Sequence, residues 1–368
     1  MSVSNSTVKW LKLPAAGLAA LAMAGAPATA QEDKITISLI QILTVQEWAS
    51  ELADGARAAV ADIGEDKVEL RVQGPAGFEL AKQAQVALNE VERGTDAVIL
   101  SNVAPGAMIE PAAILADRGV PVTWVVSAPP DEVENAFYVG ANAYATGEAG
   151  VNLILDALEA QHGVPAAELS GEVVQGLCVP GLPVLTQRIA AIEATLAERV
   201  PNATVLRPFD SKLDLTQSYA AWNQAIQKYP NALFYSDPCE DANKNIQKIR
   251  MDDGIDVPQV YYDNPEIARE ALKDGEVTAI VSSNRFTEGY VAVWATVRAL
   301  MNEGEDFPVG WIEVPHKVID QSNVESYIAA WNEDGTNLRE FFDEEILAVR
   351  DTPLDTLRPA SDYNRPPE

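Results

Sequence analysis

The chain has 368 residues and carries 55 acidic against 26 basic side chains, which gives a formal net charge of −29 at pH 7. Such a charge repels phosphate backbones and anionic lipid headgroups, so it argues against binding to nucleic acid or to a membrane surface. The length exceeds the ~250–300 residues at which one hydrophobic core usually splits, so two domains are expected.

The N-terminus is typical of a secretory signal peptide. Lys9 and Lys12 precede an apolar run rich in Ala and Leu, and the small residues Ala28, Thr29 and Ala30 form a cleavage site. The apolar run is shorter than the ~20 residues that a membrane-spanning helix needs. We therefore predict that residues 1–30 are cleaved off and that the mature protein lies in the periplasm.

From Lys34 onward, short β-branched runs alternate with longer stretches whose apolar residues recur at helical spacing. The first half predicts strands at 35–40, 68–73, 97–101 and 120–126, with helices near 45–63, 78–92 and 106–117. The second half predicts strands at 171–177, 204–209, 232–237, 258–263 and 278–283, with helices near 184–198, 215–229, 241–251 and 265–273. Because parallel strands need crossover connections, this alternation predicts an α/β fold with two doubly wound parallel-sheet lobes.

Sequence motifs of common enzymes are absent. The chain has no G-x-S-x-G elbow, no P-loop, no H-E-x-x-H and no C-x-x-C, and both histidines, His162 and His316, fall outside the loops that follow strands. Asp237 and Asp263 are the one carboxylate pair to consider for catalysis, and accepting hydrogen bonds from a bound ligand is the better interpretation for them. We expect no enzyme activity, no cofactor and no metal.

Three segments carry a resemblance to known proteins: "GTDAVILSNVAPGAMIEPAAILADRGVPV", "FYVGANAYATGEAG" and "YYDNPEIAREALKDGEVTAIVSSN". They resemble the type I periplasmic binding proteins of sugar-type ABC transporters, in their ribose-binding-protein-like form. The resemblance implies two lobes joined by a three-crossing hinge, with crossings near Ala141, Ser283–Asn284 and Val309–Gly310. It places 31–141 plus 284–309 in the N-terminal lobe and 142–283 plus 310–320 in the C-terminal lobe, with 321–368 as an extension packing on both.

The resemblance also implies a set of ligand-binding residues at the ends of the strands. Trp48 matches an aromatic residue that stacks on a sugar ring, although it could also be the first buried residue of its helix. The chain departs from the pattern where Val126 and Ser127 replace an Asp-Arg pair and where Leu213 replaces a second aromatic residue. The resemblance matches Gln46, Trp48, Arg188 and Asp263 to the family's binding residues. The residues that follow the predicted strands complete the expected ligand-binding set, with Asp237 in place of the family's asparagine and Ser283 in place of its glutamine: Asn102, Ser127, Asp237, Ser283 and Asn284.

The resemblance implies that the protein delivers a sugar, polyol or modified sugar to an ABC permease in the inner membrane, and that it works as a monomer. One alternative is a periplasmic partner of a membrane sensor kinase. Another is a binder of a small amine or betaine, because two aspartates and an indole can surround an ammonium group.

The two cysteines, Cys178 and Cys239, follow the first and third predicted strands of the second lobe. These strands are expected to be neighbours, so the loops that leave them lie within reach of a disulfide. An even cysteine count in an exported protein favours the bridge, whereas neither loop holds the histidine or cation that a catalytic thiol would want. We predict a Cys178–Cys239 disulfide; two separate buried thiols are the alternative.

Overall fold

The computed structural model describes residues 34–130, 132–302, 305–331 and 336–364, so the predicted signal peptide lies outside the described residues. In chain order the strands are β1 Ile35–Ile40, β2 Val68–Gln73, β3 Ala97–Ser101, β4 Val122–Val125, β5 Phe137–Ala141, β6 Gly171–Leu177, β7 Ala203–Val205, β8 Phe209–Asp210, β9 Phe234–Ser236, β10 Val260–Tyr261, β11 Ala279–Ser282, β12 Gly310–Val314 and β13 Lys317–Ile319.

The helices interleave with these strands as the apolar periodicity predicts. They are α1 Glu47–Ile63, α2 Leu80–Glu92, α3 Ile109–Asp117, α4 Ala143–His162, α5 Pro183–Arg199, α6 Leu215–Lys228, α7 Glu240–Asp253, α8 Glu266–Lys273, α9 Arg285–Met301, α10 Val324–Ala330, α11 Thr336–Phe341 and α12 Asp343–Val349. Short 3₁₀ turns precede α3 and β6 and close the described chain at Ala360–Asn364. None of the helices in the described ranges has the length and hydrophobicity needed to cross a bilayer.

The first lobe is built on one six-stranded parallel sheet with the order β12-β5-β4-β3-β1-β2. Its central strands are buried on both faces, and β3 and β5 contain no exposed residue. Such strands are expected to be almost continuously apolar, as "AVILS" is. The carboxyl ends of these strands all point to the same edge of the sheet.

The second lobe contains two smaller groups of strands. β6 pairs in parallel with β7, β8 and β9, while β10 and β11 pair in parallel and β13 joins β11 in the antiparallel direction. The predicted strand 204–209 is therefore two short strands, β7 and β8, that both pair with β6. The α/β fold with parallel sheets and two lobes agrees with the prediction.

The third hinge crossing lies later than predicted. Gly310–Val314 was expected in the C-terminal lobe, but it pairs in register with Phe137–Ala141 of the first-lobe sheet. Only the next strand, Lys317–Ile319, joins the second lobe, so the chain crosses at Pro315 and His316. Proline ends the first pairing because it has no N–H to donate to a neighbouring strand.

Two helices of the first lobe, α1 and α9, cross at very short distance. A Cβ atom at Gly55 would lie 1.9 Å from the carbonyl oxygen of Phe286, and one at Gly289 would lie 1.9 Å from that of Leu52. No larger residue fits either position, so the two glycines allow the helices to touch through their backbones. This contact fixes the start of α9 against the middle of α1.

The described part of the 321–368 extension lies against both lobes. α10 packs on α8 of the second lobe, whereas α12 packs on α9 and β12 of the first. Near the end of the described chain, Tyr363 is fully buried, and its ring contacts those of Tyr138 and Trp311. The described part of the extension therefore contacts both lobes across the hinge region.

Candidate ligand-binding cleft

A cavity of about 90 Å³ lies where the carboxyl ends of the strands of the two lobes face each other. Its walls are the loops that follow β1, β2, β3 and β4 on one side and those that follow β6, β8, β9 and β10 on the other. This is the position at which open parallel sheets bind ligands. We call it the cleft.

The first-lobe wall contains Gln46 and Trp48 at the start of α1. The indole Nε1 of Trp48 donates a hydrogen bond to Gln46 Oε1 at 2.6 Å, and Gln46 Nε2 donates to Asp241 Oδ2 of the second lobe at 3.1 Å. Trp48 is half-buried, so one part of its ring packs on the core and another part lines the cavity. Both residues lie where the sequence predicts ligand contacts.

The second-lobe wall contains the predicted disulfide. Cys178 and Cys239 are joined, with their Cα atoms 6.2 Å apart, because β6 and β9 are adjacent parallel strands. The disulfide prediction is confirmed, and the alternative of two separate thiols is wrong. Both cysteines line the cavity, so the bridge forms part of the surface that a ligand touches.

Asp263 follows β10 and lines the cavity with a side chain that is 14% exposed. No residue that the structure describes donates a hydrogen bond to its carboxylate, and its nearest cation is Arg188, whose Nη1 lies 4.0 Å away. Burial raises the pKa of Asp263, while the positive charges of Arg188 and Arg285 oppose that rise. Asp263 therefore offers free acceptor oxygens to the cavity.

Arg188 is also on the wall, but protein groups use its guanidinium extensively. Nη1 donates to the carbonyl of Pro238 at 2.9 Å, Nη2 donates to Ser283 Oγ at 2.6 Å, and Nε donates to Thr146 Oγ1 at 3.3 Å. These bonds tie the loop after β9 to the hinge strand that ends at Ser282. Arg188 thus positions the wall around Asp263 as well as lining it.

Five predicted residues do not reach the cavity. Asn102 donates to the carbonyl of Ala128 at 3.0 Å, Ser127 is fully buried, and Ser283 lies behind Arg188. Asn284 adopts a left-handed φ of 56° and accepts from the backbone N–H of Thr287, so it caps α9. The fifth residue is Asp237.

Asp237 lies under the disulfide loop, away from the cavity. One carboxylate oxygen accepts from Trp222 Nε1 at 3.2 Å and the other from the backbone N–H of Cys239 at 3.0 Å. Its side chain is completely buried, and this burial raises the pKa of Asp237 to about 7 despite the hydrogen bonds. The geometry gives Asp237 a part in holding the loop that carries Cys239.

Arg285, which the sequence did not single out, lines the cavity one residue after the predicted Asn284. Its Nη1 lies 2.5 Å from Glu288 Oε2, and its guanidinium carbon lies 5.9 Å from the centre of the Trp48 ring. Glu288 also accepts from the backbone N–H of Val126, whose φ of 76° is unusual for a β-branched residue. The signal that could have found Arg285 is its place directly after the second hinge crossing.

Phe78, Lys212, Glu240 and Asp241 are further cavity residues that the sequence did not single out. Glu240 and Asp241 open α7, and Lys244 reaches back to both, with distances of 2.7 and 3.0 Å. Burial and the neighbouring Asp263 raise the pKa of Glu240 to about 7, against the influence of Lys244. The sequence signal for Glu240 and Asp241 is their position directly after Cys239, in a loop that was already expected to face the ligand.

One group of possible metal ligands occurs in the described part of the chain, formed by Cys178, Asp237 and Cys239. Both sulfur atoms of this group are bonded to each other, so neither is a thiolate that can bind a metal ion. The arrangement therefore offers a metal no more than one buried carboxylate.

Solved structures share this fold at low sequence identity. The chain is similar to an ABC transporter solute binding protein from Agrobacterium vitis bound with alpha-D-tagatopyranose, with a TM-score of 0.69 and 20% identity over 81% of this chain and 98% of that one. It is similar to an ABC transporter solute binding protein from Bacillus halodurans C-125 with bound myo-inositol, with a TM-score of 0.69 and 18% identity over 82% and 100%. It is also similar to GanP, a glucose-galactose binding protein from Geobacillus stearothermophilus, with a TM-score of 0.67 and 17% identity over 79% of this chain and 99% of that one.

None of the curated proteins compared with the chain matches it. Residues 37–305, most of the chain, match the family model described as a periplasmic binding protein domain. The two lobes and the cleft between their strand ends agree with that match. The chain therefore belongs to the periplasmic binding protein family.

Proposed function

We propose that this protein binds a small hydroxylated solute, such as a sugar, polyol or modified sugar, in the periplasm and delivers it to an ABC importer in the inner membrane. The observation that carries the proposal is that Trp48 of one lobe and Asp263 of the other line the same cavity. An indole face suits the C–H face of a ring, and a carboxylate with free oxygens suits hydroxyl donors.

The family supports this proposal. Its members are non-enzymatic solute-binding proteins of ABC transporters, and similar structures contain tagatopyranose, D-arabinose, D-allose and myo-inositol. Export through a cleaved signal peptide at residues 1–30 and action as a monomer belong to the same proposal. The proposed partner is the permease of the importer.

Binding of a small amine or betaine has weaker support from the cleft. The guanidinium of Arg285 already lies beside the Trp48 ring, in the place where an ammonium group would stack. The second aspartate of that hypothesis, Asp237, is turned away from the cavity. A ligand cation would therefore meet Arg285 and Arg188 on the same wall as Asp263.

A thermal-shift screen of residues 31–368 against sugars, polyols, sugar acids and betaines tests the proposal. A ligand at a hundred times its dissociation constant adds ~2.7 kcal/mol of apparent stability, which is easily measured. We expect at least one neutral hydroxylated compound to raise the melting temperature. Shifts from betaines or sugar acids alone would contradict the proposed ligand class.

A further inference from the structure

The polar side chains of the cleft already satisfy one another to a large extent. Of the three carboxylates on the wall, Glu240 and Asp241 accept hydrogen bonds from Lys244, and Asp241 also accepts from Gln46. The Trp48 N–H is donated to Gln46. Among the described residues, no donor reaches Asp263.

Unused hydrogen-bonding atoms remain on three side chains of the wall, Asp263, Glu240 and Arg285, among the described residues. Arg285 keeps an Nε donor without a hydrogen-bond partner in the described part of the chain, and it lines the same cavity as Asp263. A donor beside an acceptor is the arrangement that a hydroxyl group satisfies, because a hydroxyl both accepts and donates. Asp263 and Arg285 can therefore form hydrogen bonds with only a few ligand hydroxyls.

Most of the remaining wall consists of hydrocarbon and sulfur. Ile42, Leu43, Phe78 and Val103 line it from the first lobe, and Leu182 and Leu213 line it from the second, next to the disulfide. These side chains offer no hydrogen bonds, and a hydroxyl buried against them without a partner weakens binding roughly five- to a hundred-fold. The apolar wall therefore selects against a ligand that carries hydroxyls on every face.

The charges on the wall balance. Arg188, Lys212 and Arg285 are cations, and Glu240, Asp241 and Asp263 are anions. A charged ligand would leave one charge in excess in a buried site, so a neutral ligand fits the cleft best.

We propose that the solute is a neutral alcohol with one hydroxyl-bearing end, held by Asp263 and Arg285, and an otherwise uninterrupted hydrocarbon face, as in a deoxysugar or a cyclic diol. The proposal rests on the solute-binding function proposed above and narrows its ligand class. It sets this cleft apart from one built for a fully hydroxylated hexose or inositol.

Isothermal titration calorimetry on residues 31–368 with matched pairs of compounds tests the proposal. The pairs are myo-inositol with cis-cyclohexane-1,2-diol, and D-galactose with 6-deoxy-D-galactose. We expect the less hydroxylated member of each pair to bind at least about ten-fold more tightly, because it leaves fewer hydroxyls unpaired. Equal or tighter binding of the fully hydroxylated members, or binding of none of the four, would overturn this inference. The solute-binding function would fall only if no neutral hydroxylated compound of the thermal-shift screen binds.

A substitution in the apolar wall provides a second test. Leu213→Ser gives the wall a hydroxyl, and it is expected to reduce the preference for the less hydroxylated compounds several-fold. Leu215→Ser is the matched control, since Leu215 is 50% exposed and does not line the cavity. An unchanged preference in Leu213→Ser, with both variants folded by circular dichroism, would show that the apolar wall does not select the ligand.

Discussion

Single side chains in the cleft divide into those that face the cavity and those that hold its walls, and the two aspartates illustrate the division. Asp263 lines the cavity with its oxygens free, whereas Asp237 accepts hydrogen bonds from Trp222 and from the backbone of Cys239. Asp237 directly follows β9 and Asp263 lies two residues after β10, so their sequence positions are similar. Substitutions of Asp263 and Asp237 should therefore have different effects on ligand binding and on stability.

Asp263→Asn should weaken ligand binding. The substitution keeps the shape of the side chain but removes a charge-assisted acceptor, which is worth ~1–3 kcal/mol of binding free energy. Calorimetry with the compound that shifts the melting temperature most would measure the loss. Affinity equal to that of the wild type would remove Asp263 from the set of ligand contacts.

Asp237→Asn should change the pH dependence of stability and leave affinity almost unchanged. The pKa of Asp237 in the folded protein is raised to about 7, so between pH ~4 and ~7 the folded state binds a proton that the unfolded state does not. The wild type therefore loses stability as pH rises through this window, and the variant does not lose this contribution. Urea unfolding should show a free-energy difference, variant minus wild type, that grows up to about pH 7 and is then constant. A difference that stays flat across the window would contradict the assignment.

The sequence could predict part of the cleft at this scale because parallel strands deliver their following residues to one edge. That rule and the family resemblance together selected Trp48, Gln46 and Asp263, and the resemblance alone selected Arg188; all four line the cavity. The rule cannot tell which way a side chain turns after the strand, so it also selected Asn102, whose amide bonds to the backbone of Ala128. Side-chain direction depends on packing partners that are distant in sequence.

Among the elements, the loops after β6 and β9 are joined covalently. The bridge between Cys178 and Cys239 spans a sequence separation of 61 residues and fixes two loops that line the cavity. Because β6 and β9 are paired, the bridge joins loops that the sheet already brings together.

The double substitution Cys178→Ala with Cys239→Ala should lower the free energy of unfolding by ~3–4 kcal/mol, since the open chain gains entropy when unfolded. Urea denaturation of the variant beside the wild type measures the difference. Thiol titration of the denatured, unreduced wild type provides the control and should find no free thiol. Two free thiols per chain would show that the bridge does not form in the periplasm.

The order of strands and helices was predictable because each segment has a clear apolar period, as in "ITISLI" for β1 and "GEVVQGL" for β6. Membership of a sheet was harder to predict at the third crossing. The run "IEVPHKVI" is apolar on both sides of Pro315, so its composition does not say which of the two sheets each half joins. The pairing of Gly310–Val314 with β5 is a long-range contact that depends on the completed first-lobe sheet.

In the molecule as a whole, the two lobes touch across the mouth of the cleft as well as at the hinge. Glu47 at the start of α1 accepts from the backbone N–H of Glu266 at 2.8 Å and lies 3.5 Å from Nη1 of Arg269. Gln46 adds its bond to Asp241 nearby. These contacts hold the lobes together around the cavity and should favour the closed form.

Glu47→Ala should therefore speed ligand release modestly. The Glu47 side chain is 41% exposed, and exposed ion pairs contribute ~0.2–1 kcal/mol, which corresponds to less than about a six-fold change in the dissociation rate. Stopped-flow displacement measures that rate. Glu79→Ala is the control, because Glu79 is also an exposed glutamate in an ion pair and its partner Lys82 lies within the same lobe. Equal dissociation rates in the two variants would argue that Glu47 has no part in closure.

The central claim is that one small solute binds between the lobes, on Trp48 and Asp263. Calorimetric titration of the variant Trp48→Ala with Asp263→Asn, beside the wild type and Ser127→Ala, tests it most directly, with the neutral compound that gives the largest thermal shift as titrant. The account predicts one site per chain in the wild type and in Ser127→Ala, whose side chain does not line the cavity, and no measurable binding in the double variant. Wild-type affinity in a correctly folded double variant would place the ligand elsewhere and contradict the account.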